Sequence, residues 1–166
     1  MKLAVLGAGA WGTAISISLA PRHAVTLWAR DPAQAREIAS SRVNRRYLPE
    51  FEIPGSVTVT ADLRAALDQS ELVLIATTTA GLRAVLKQLA AAGDVPPLIW
   101  LCKGFETESA HLPHQIAADE LPPRLPRGVL SGPSFAHEVA RGLPTALTFA
   151  SGDSAFSQRI TRLLHH

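Results

Sequence analysis

A glycine-rich segment near the start of the chain has the spacing that lets a protein backbone bind phosphate. Residues 7–12 read GAGAWG, a G-x-G-x-x-G pattern, and they follow the apolar run KLAVL at residues 2–6. In such a pattern the first glycine, Gly7, permits a tight turn. The second, Gly9, lets a diphosphate approach the backbone, and the third, Gly12, permits close packing of a helix on a strand. The pattern therefore predicts a dinucleotide site at the start of the first helix.

The same opening residues also resemble a secretory signal peptide. One lysine precedes a long apolar run, and Ser18-Leu19-Ala20 is a small-residue pattern typical of a cleavage site. However, three glycines are poorly placed in the apolar core of a signal peptide. The single cysteine, Cys102, also gives no support for an oxidising compartment. We therefore favour a strand, a glycine turn and a helix, and expect a cytoplasmic protein.

The residue after the second predicted strand bears on the type of dinucleotide. A carboxylate about 20 residues beyond the glycines would bind the ribose hydroxyls of NAD. Residues 24–28 (AVTLW) form the strand, and they are followed by Ala29-Arg30, with Asp31 as the nearest acid. Arg30 can pair with the 2′-phosphate of NADP, although the alternative is a solvated surface arginine. The position of Arg30 favours NADP and leaves NAD open.

Two further clusters follow predicted strands and suit an anionic substrate. Lys103 follows the apolar run LIWLC and precedes Gly104, so its ammonium group can contact an anion or polarise a hydroxyl. A surface lysine is the alternative. Ser134 lies in SGPSFA, where Gly132-Pro133 makes a sharp bend. Ser134 either caps the helix that follows or helps to bind a phosphate there. Two anion sites would suit two phosphate-bearing ligands.

Strand and helix patterns alternate along the whole chain and predict an α/β fold. The predicted class is a Rossmann-like, doubly wound, mainly parallel sheet with helices on both faces, and one dinucleotide-binding domain spanning residues 1–166. Residues 41–56, rich in arginine and proline, are interpreted as a surface connection. Strands are predicted at 2–6, 24–28, 57–60, 72–76, 98–102, 129–130 and 145–150, and helices at 11–20, 32–40, 62–67, 81–92, 111–121, 134–141 and from a cap at Asp153 onward.

Composition and charge argue against several classes of partner. The net charge is only +2, and the basic residues form no dense run, so nucleic acid binding is not favoured. Beyond residue 20 no apolar stretch approaches the ~20 residues that a membrane span needs, so we expect no membrane partner. His111 and His114 lie about one helical turn apart without a third ligand, so we expect no metal site. His165 and His166 are either native or a tag remnant.

Five segments, GAGAWGTA, VTLWARDP, NRRYLPE, CKGFE and SGPSFAHEVARGLPTAL, together resemble bacterial NAD(P)-dependent glycerol-3-phosphate dehydrogenases. The resemblance covers the chain in order and implies NAD(P)H-dependent reduction of dihydroxyacetone phosphate to sn-glycerol 3-phosphate for phospholipid synthesis. The expected cofactor-binding residues, from the glycine pattern and the resemblance together, are Gly7, Gly9, Ala10, Trp11, Gly12, Arg30, Lys103 and Ala136. The resemblance implies substrate contacts at Lys103, Gly132 and Ser134, with Lys103 in a supporting catalytic role.

The chain departs from that family pattern in two places. Where the family usually has a Pro-Ser pair near the cofactor, this chain has Thr77-Thr78-Thr79. The family's main catalytic lysine lies in an Ala-Leu/Val-Lys-Asn stretch of a helical C-terminal domain, and no such stretch is present here. We therefore expect the cofactor-binding half of a longer enzyme, with little turnover alone.

Two alternatives stay open at this point. One is a non-catalytic NAD(P)-binding module, and the other is a related dehydrogenase of the 6-phosphogluconate or ketopantoate type, against which GPSFA argues. We also expect an exposed apolar patch near the carboxyl ends of the strands, which a homodimer could cover. Cys102 is interpreted as a small buried residue rather than a nucleophile.

Overall fold

Strands and helices alternate through residues 1–164, which the computed structural model of the chain describes. His165 and His166 lie outside the described residues. The strands are β1 (Lys2–Leu6), β2 (Ala24–Trp28), β3 (Val43–Asn44), β4 (Leu48–Glu52), β5 (Thr58–Thr60), β6 (Leu72–Ile75), β7 (Leu98–Trp100), β8 (Arg127–Ser131) and β9 (Thr148–Ala150). The helices are α1 (Ala10–Leu19), α2 (Pro32–Ser41), α3 (Leu63–Leu67), α4 (Thr79–Ala92), α5 (Pro113–Glu120), α6 (Ala136–Ala140) and α7 (Ser154–Leu164).

Seven strands form one sheet in the order β5-β2-β1-β6-β7-β8-β9. The first six are parallel, and β9 runs antiparallel to β8. Counted along the chain without the separate β3–β4 hairpin, the parallel strands have the order 3-2-1-4-5-6 of a doubly wound Rossmann sheet. The predicted fold class is confirmed. Ligands in such sheets bind outside the carboxyl ends of the strands, where the strand order reverses between β1 and β6.

The sheet separates two apolar cores. Along β1, Leu3 and Val5 face one core while Ala4 and Leu6 face the other, as the alternation of side chains along a strand requires. The first core also takes Ile15 and Leu19 from α1, Val139 from α6, and Phe156 and Ile160 from α7. The second takes Leu82 and Leu86 from α4, and Ile116 and Ala117 from α5. Helices therefore cover both faces. No helix within residues 1–164 is long and apolar enough to cross a membrane.

The prediction that residues 41–56 form a surface connection is wrong. The segment contains the β3–β4 hairpin, and Asn44, Leu48 and Ile53 are buried. Arg42 adopts a left-handed conformation at the end of α2, and its guanidinium donates hydrogen bonds to the carbonyls of the segment that follows the hairpin, including that of Ile53. The apolar residues of this segment are separated by prolines and charged residues, so they gave no periodic signal, although Leu48 and Ile53 are buried in the first core.

Several other boundaries also differ from prediction, by one to three residues. The helix expected over 134–141 spans only Ala136–Ala140, and the last strand begins at Thr148 rather than at residue 145. Pro144 has no N–H for a strand ladder, and the Thr145 hydroxyl donates to the Leu143 carbonyl in a local turn. The cap at Asp153 is confirmed, because its Oδ1 accepts a hydrogen bond from the Phe156 N–H at 3.0 Å.

An ionic cluster joins α4, α5 and the segment between β7 and α5. The Arg83 guanidinium donates to the Glu106 carboxylate from Nε and Nη2, at 2.8 and 2.7 Å. It also donates to Asp119 and Glu120 of α5, at 3.0 and 2.6 Å. The Arg83 bonds, and then the Ser109 hydroxyl, lower the pKa of Glu106 to about 2. Glu106 therefore stays ionised at neutral pH.

The lowered pKa of Glu106 predicts an acid-dependent contribution to stability. A carboxyl with a depressed folded pKa stabilises the folded state above its ordinary pKa of 4.5, and that contribution is lost as pH falls towards about 2. At neutral pH the free energy of unfolding of the wild-type chain, measured with urea, should exceed that of the Glu106→Gln variant. The difference should shrink steadily below pH 4.5. A matched variant, Glu108→Gln, changes an exposed carboxylate of the same segment. A gap for Glu106→Gln that is constant with pH would contradict this account.

Candidate functional site

The turn after β1 is closed around its glycines. Gly7 has φ +121°, a conformation that L side chains rarely adopt, and a Cβ there would lie 2.9 Å from the Ala76 carbonyl. A Cβ on Gly12 would lie 1.8 Å from the Gly7 carbonyl oxygen. Both residues must be glycine for α1 to pack this closely against the ends of β1 and β6. The geometry matches the roles that the sequence pattern predicts for the first and third glycines.

Gly9 is different, because it faces open space. A Cβ on Gly9 would meet no atom within 4 Å, so a ligand can approach the backbone at this point. Gly9 is also the N-cap of α1, and it caps the helix with no side-chain hydrogen bond. The N–H groups of the first turn, which starts at Ala10 and Trp11, are therefore available to an anion. A diphosphate fits this cradle in both space and charge.

Two side-chain amides brace the glycine turn from outside. Gln34 Nε2 and Asn44 Nδ2 both donate to the Ala8 carbonyl oxygen, at 2.8 and 3.0 Å. Asn44 is 1 % exposed and also donates to Thr13 Oγ1 at 2.8 Å. The β3–β4 hairpin thus fixes the peptide that precedes Gly9. Sequence reasoning missed Asn44; its place at the head of NRRYLPE was the only available signal.

Lys103 lies at the same edge of the sheet, two strands away from β1. Its Nζ donates to the Gly132 carbonyl at 3.1 Å, and its own carbonyl accepts a hydrogen bond from Thr79 Oγ1 at 2.6 Å. Gly104 has φ +92°, so the chain turns sharply just after the lysine. The ammonium group is exposed and points at the segment that follows β8. This arrangement leaves a cation at the carboxyl end of the sheet.

Four predicted site residues line one narrow cavity of about 20 Å³: Trp11, Lys103, Gly132 and Ser134. This is roughly the space of one water molecule. The Ser134 hydroxyl oxygen is shielded from solvent and has no hydrogen-bond partner among residues 1–164. A buried polar atom without a partner is costly, so it marks a place for a ligand or a water. The structure therefore brings Trp11, from the glycine turn, next to Lys103, Gly132 and Ser134, the predicted substrate contacts.

The prediction that Ser134 caps the following helix is wrong. Phe135 is the N-cap of α6, and the Glu138 carboxylate accepts a hydrogen bond from the Phe135 N–H at 3.2 Å. The carboxylate already meets the positive end of this short helix, so the helix start is a poor anion site. A Cβ on Gly132 would lie 2.4 Å from the Ala146 carbonyl oxygen, so the bend before Ser134 requires glycine. Ser134 is thus placed by the bend and not by a cap.

Arg30, Ala136 and Thr77 do not line the cavity. Arg30 is exposed just beyond β2, and Ala136 is buried as the first residue of α6. The Thr77 hydroxyl, directly after β6, is shielded from solvent and has no hydrogen-bond partner among residues 1–164. It belongs to the Thr77-Thr78-Thr79 segment, and the Thr77 backbone lies beside Gly7 of the glycine turn. Cys102 is 7 % exposed, and burial raises the pKa of its thiol, which agrees with a packing role.

The strand order, the closed glycine turn and the uncapped start of α1 define a dinucleotide-binding domain of the Rossmann class. The family follows from sequence comparison. The chain belongs to the family described as NAD-dependent glycerol-3-phosphate dehydrogenase N-terminus, whose sequence model matches residues 2–157. The resemblance seen in the five sequence segments is confirmed at the level of the family.

Relatives of known name agree with this assignment. A protein of Thiobacillus denitrificans named glycerol-3-phosphate dehydrogenase (NAD(P)+) is 52% identical over 164 residues, covering 99% of this chain and 50% of its own length. A relative of the same name from Nitrosospira multiformis is 50% identical over 169 residues, with 99% and 51% covered. The crystal structure of glycerol-3-phosphate dehydrogenase from Coxiella burnetii superposes with a TM-score of 0.92 at 36% identity, covering 99% of this chain and 51% of that one. The chain spans about half the length of these relatives.

Removal of the side chains that hold the Ala8 carbonyl should lower the free energy of unfolding. Asn44→Ala takes away one buried donor and leaves Thr13 Oγ1 short of a partner, so we expect it to lower the free energy of unfolding by about 1–3 kcal/mol. Gln34→Ala removes a single, less buried hydrogen bond from the same carbonyl and should cost about 0.5–1.5 kcal/mol. Urea unfolding monitored by tryptophan fluorescence measures both. An Asn44→Ala cost no larger than that of Gln34→Ala would show that Asn44 is not a brace.

Proposed function

We propose that this chain binds the reduced nicotinamide dinucleotide of a glycerol-3-phosphate dehydrogenase. The observation that carries the proposal is the glycine turn: Gly7 and Gly12 are closed against the backbone, whereas Gly9 is open at an uncapped helix start. The diphosphate would lie over Gly9, Ala10 and Trp11 and accept hydrogen bonds from their N–H groups. The orphaned Thr77 hydroxyl beside the turn offers a further donor. The residues present fit the cofactor.

NADP is the favoured form of the cofactor, with NAD as the alternative. Arg30 follows β2, the strand whose end lies nearest the adenosine in a Rossmann domain, and its guanidinium is free to meet a 2′-phosphate. Asp31, the nearest carboxylate, is instead occupied as the N-cap of α2, where it accepts a hydrogen bond from the Ala33 N–H at 2.9 Å. The position after β2, where NAD-binding domains typically have a ribose-binding acid, thus has a cation.

The proposed reaction is the reduction of dihydroxyacetone phosphate to sn-glycerol 3-phosphate, in the cytoplasm. A bound reduced nicotinamide supplies the hydride for the carbonyl carbon. Lys103, with Gly132 and Ser134, would contact the phosphate-bearing substrate at the carboxyl end of the sheet, where these residues and Trp11 line the small cavity. Lys103 is the cation of this group, and its ammonium can stabilise negative charge on the substrate. Ala136, next to the SGPSFA bend, is proposed to border the cofactor.

The chain is proposed to act as the cofactor-binding domain and to form a homodimer. Three large apolar side chains are exposed on segments at the carboxyl end of the sheet, namely Phe105 (67%), Phe135 (71%) and Leu143 (49%). Their exposure agrees with the apolar patch expected from the sequence and favours a covering surface at this edge. The general acid that delivers a proton to the substrate oxygen is proposed to come from a helical domain, as the family resemblance implies.

Titration with NADPH and separately with NADH tests the cofactor proposal. Energy transfer from tryptophan to the nicotinamide reports binding, and Trp11 lies at the site. We expect tighter binding of NADPH. Arg30→Ala should weaken NADPH binding about tenfold or more, because a charge-assisted hydrogen bond contributes about 1.5–3 kcal/mol. Binding of NADH should barely change.

Arg124→Ala is the matched control for that titration. It removes the same charge from an exposed loop that precedes β8, at the opposite edge of the sheet. It should leave both dissociation constants unchanged. Equal weakening of NADPH and NADH by Arg30→Ala would contradict the phosphate role of Arg30. No binding of either cofactor would contradict the dinucleotide site.

Turnover measurements test whether this chain is only the cofactor-binding domain of a glycerol-3-phosphate dehydrogenase. We expect oxidation of NADPH by this chain with dihydroxyacetone phosphate to be far slower than by the Thiobacillus denitrificans relative, because the Ala-Leu/Val-Lys-Asn stretch is missing. Absorbance at the nicotinamide band measures both rates. A rate near that of the relative would contradict the proposed division of labour. Preference for a ketopantoate or 6-phosphogluconate substrate would instead favour the related dehydrogenases.

A further inference from the structure

Lys103 stands at the start of a long segment without regular structure. β7 ends at Trp100 and α5 begins at Pro113, so Lys103 takes its position from neither a strand nor a helix. Its ammonium contact with the Gly132 carbonyl is exposed to solvent. Exposed contacts of a flexible lysine side chain are weak on their own. Some other part of the fold must therefore fix the backbone that carries Lys103.

Helix α4 supplies two anchors to this segment. Thr79 is buried, with 7% of its surface exposed. Its hydroxyl donates to the Lys103 carbonyl at 2.6 Å. One turn later, Arg83 donates to both oxygens of Glu106, from Nε at 2.8 Å and from Nη2 at 2.7 Å. Residues at positions i and i+4 lie on the same helix face. A single face of α4 thus holds the chain directly at Lys103 and three residues further on.

The Arg83 anchor is rigid because its guanidinium is held from both sides. Nη1 donates to Glu120 at 2.6 Å and Nη2 to Asp119 at 3.0 Å, and both carboxylates belong to α5. The side chains of Arg83 and Glu106 are only 23% and 12% exposed. Bidentate, partly buried pairs in a network are stronger than isolated surface pairs. Contacts with three carboxylates on two sides therefore fix the orientation of the guanidinium plane.

Glu106 passes the constraint to the rest of the segment. Its N–H donates to the His111 carbonyl, and its carbonyl accepts from the Ala110 N–H, each at 2.9 Å. The Ser109 hydroxyl also donates to its carboxylate. Residues 106–111 thus form one hydrogen-bonded turn, which the Arg83 contact fixes as a unit. Only Gly104 and Phe105 separate that unit from Lys103.

We propose that Thr79 and Arg83 are positioning residues that hold Lys103 opposite Gly132 and Ser134. Neither residue lines the cavity. They act through the backbone of the segment that begins at Lys103, and so they set the direction of its ammonium group. The binding consequence of this proposal rests on the function proposed above. The structural consequence does not, because it concerns only the surroundings of Lys103.

Lysine-selective NMR tests the structural consequence directly. The sequence contains three lysines, Lys2, Lys87 and Lys103. A chain labelled with ¹³C,¹⁵N-lysine therefore gives one set of signals for each, and Lys103→Arg assigns the third. The measured quantities are the backbone amide and Cε shifts of Lys103 and their line widths, without any ligand.

The proposal predicts a defined pattern across the variants. Arg83→Met and Thr79→Val should both move the Lys103 signals towards the positions of an unstructured lysine and leave Lys2 unchanged. Thr79→Ser keeps the hydroxyl, so the Lys103 signals of this variant should stay at their wild-type positions. Arg83→Lys keeps the charge but not the bidentate fork, so it should restore them only in part. If Arg83→Met does not fold, Glu106→Gln tests the same contact with a change of shape close to zero.

Lys87→Met is the matched control on the same helix. Lys87 Nζ lies 4.0 Å from Glu120 and is 63% exposed, and it makes no contact with the segment after β7 in the described structure. Its removal takes a cation from the same acidic cluster. The Lys103 signals should not move. If they move as much as in Arg83→Met, general electrostatics rather than positioning governs Lys103, and the proposal is overturned.

A double-mutant cycle with NADPH tests the binding consequence. Arg83→Met should raise the dissociation constant several-fold, up to the value of Lys103→Met, and it should have no further effect when Lys103 is already methionine. Additive effects would show that Arg83 acts by another route. Native Lys103 shifts in folded Arg83→Met and Thr79→Val would overturn the proposal whatever the cofactor does. Failure of the wild-type chain to bind NADPH would contradict the proposed function while the NMR result still decides the positioning.

Discussion

The site depends above all on the lack of space between residues 7 and 12. A Cβ at residue 12 would lie 1.8 Å from the Gly7 carbonyl oxygen, and one at residue 7 would lie 2.9 Å from the Ala76 carbonyl. Any side chain at either position would push α1 away from β1 and β6. The start of α1 would then no longer lie at the place where the strand order reverses. The packing of α1 and the position of the open backbone at Gly9 both depend on this one steric condition.

Much of this could be read from the sequence because the relevant signals are local. The glycine pattern, the apolar run before it and the cap at Asp153 each lie within a few residues of what they determine. The alternation of strands and helices was equally visible, and with it the fold. The positions of Trp11, Lys103, Gly132 and Ser134 at one edge follow, since parallel strands end on the same side of the sheet.

The parts that could not be predicted depend on contacts between distant residues. Asn44 reaches the Ala8 carbonyl across 36 positions in the chain, and Arg83 reaches Glu106 across 23. Neither residue differs locally from an exposed polar residue. The error at Ser134 has another cause, because serine before a helix is a good cap by type. Here the bend at Gly132 turns the hydroxyl away, and Glu138 takes the capping role from within the helix.

The two halves of the site are held by different physical interactions. The glycine turn is fixed by backbone contact and by neutral amides on the Ala8 carbonyl, neither of which titrates. The Lys103 segment is fixed by an ionised carboxylate against a guanidinium. A steric cradle suits a ligand part that is common to all dinucleotides, since it requires only shape and N–H groups. The ionic anchor at Glu106 depends instead on the charges of both partners, so the two halves of the site do not share the same type of interaction.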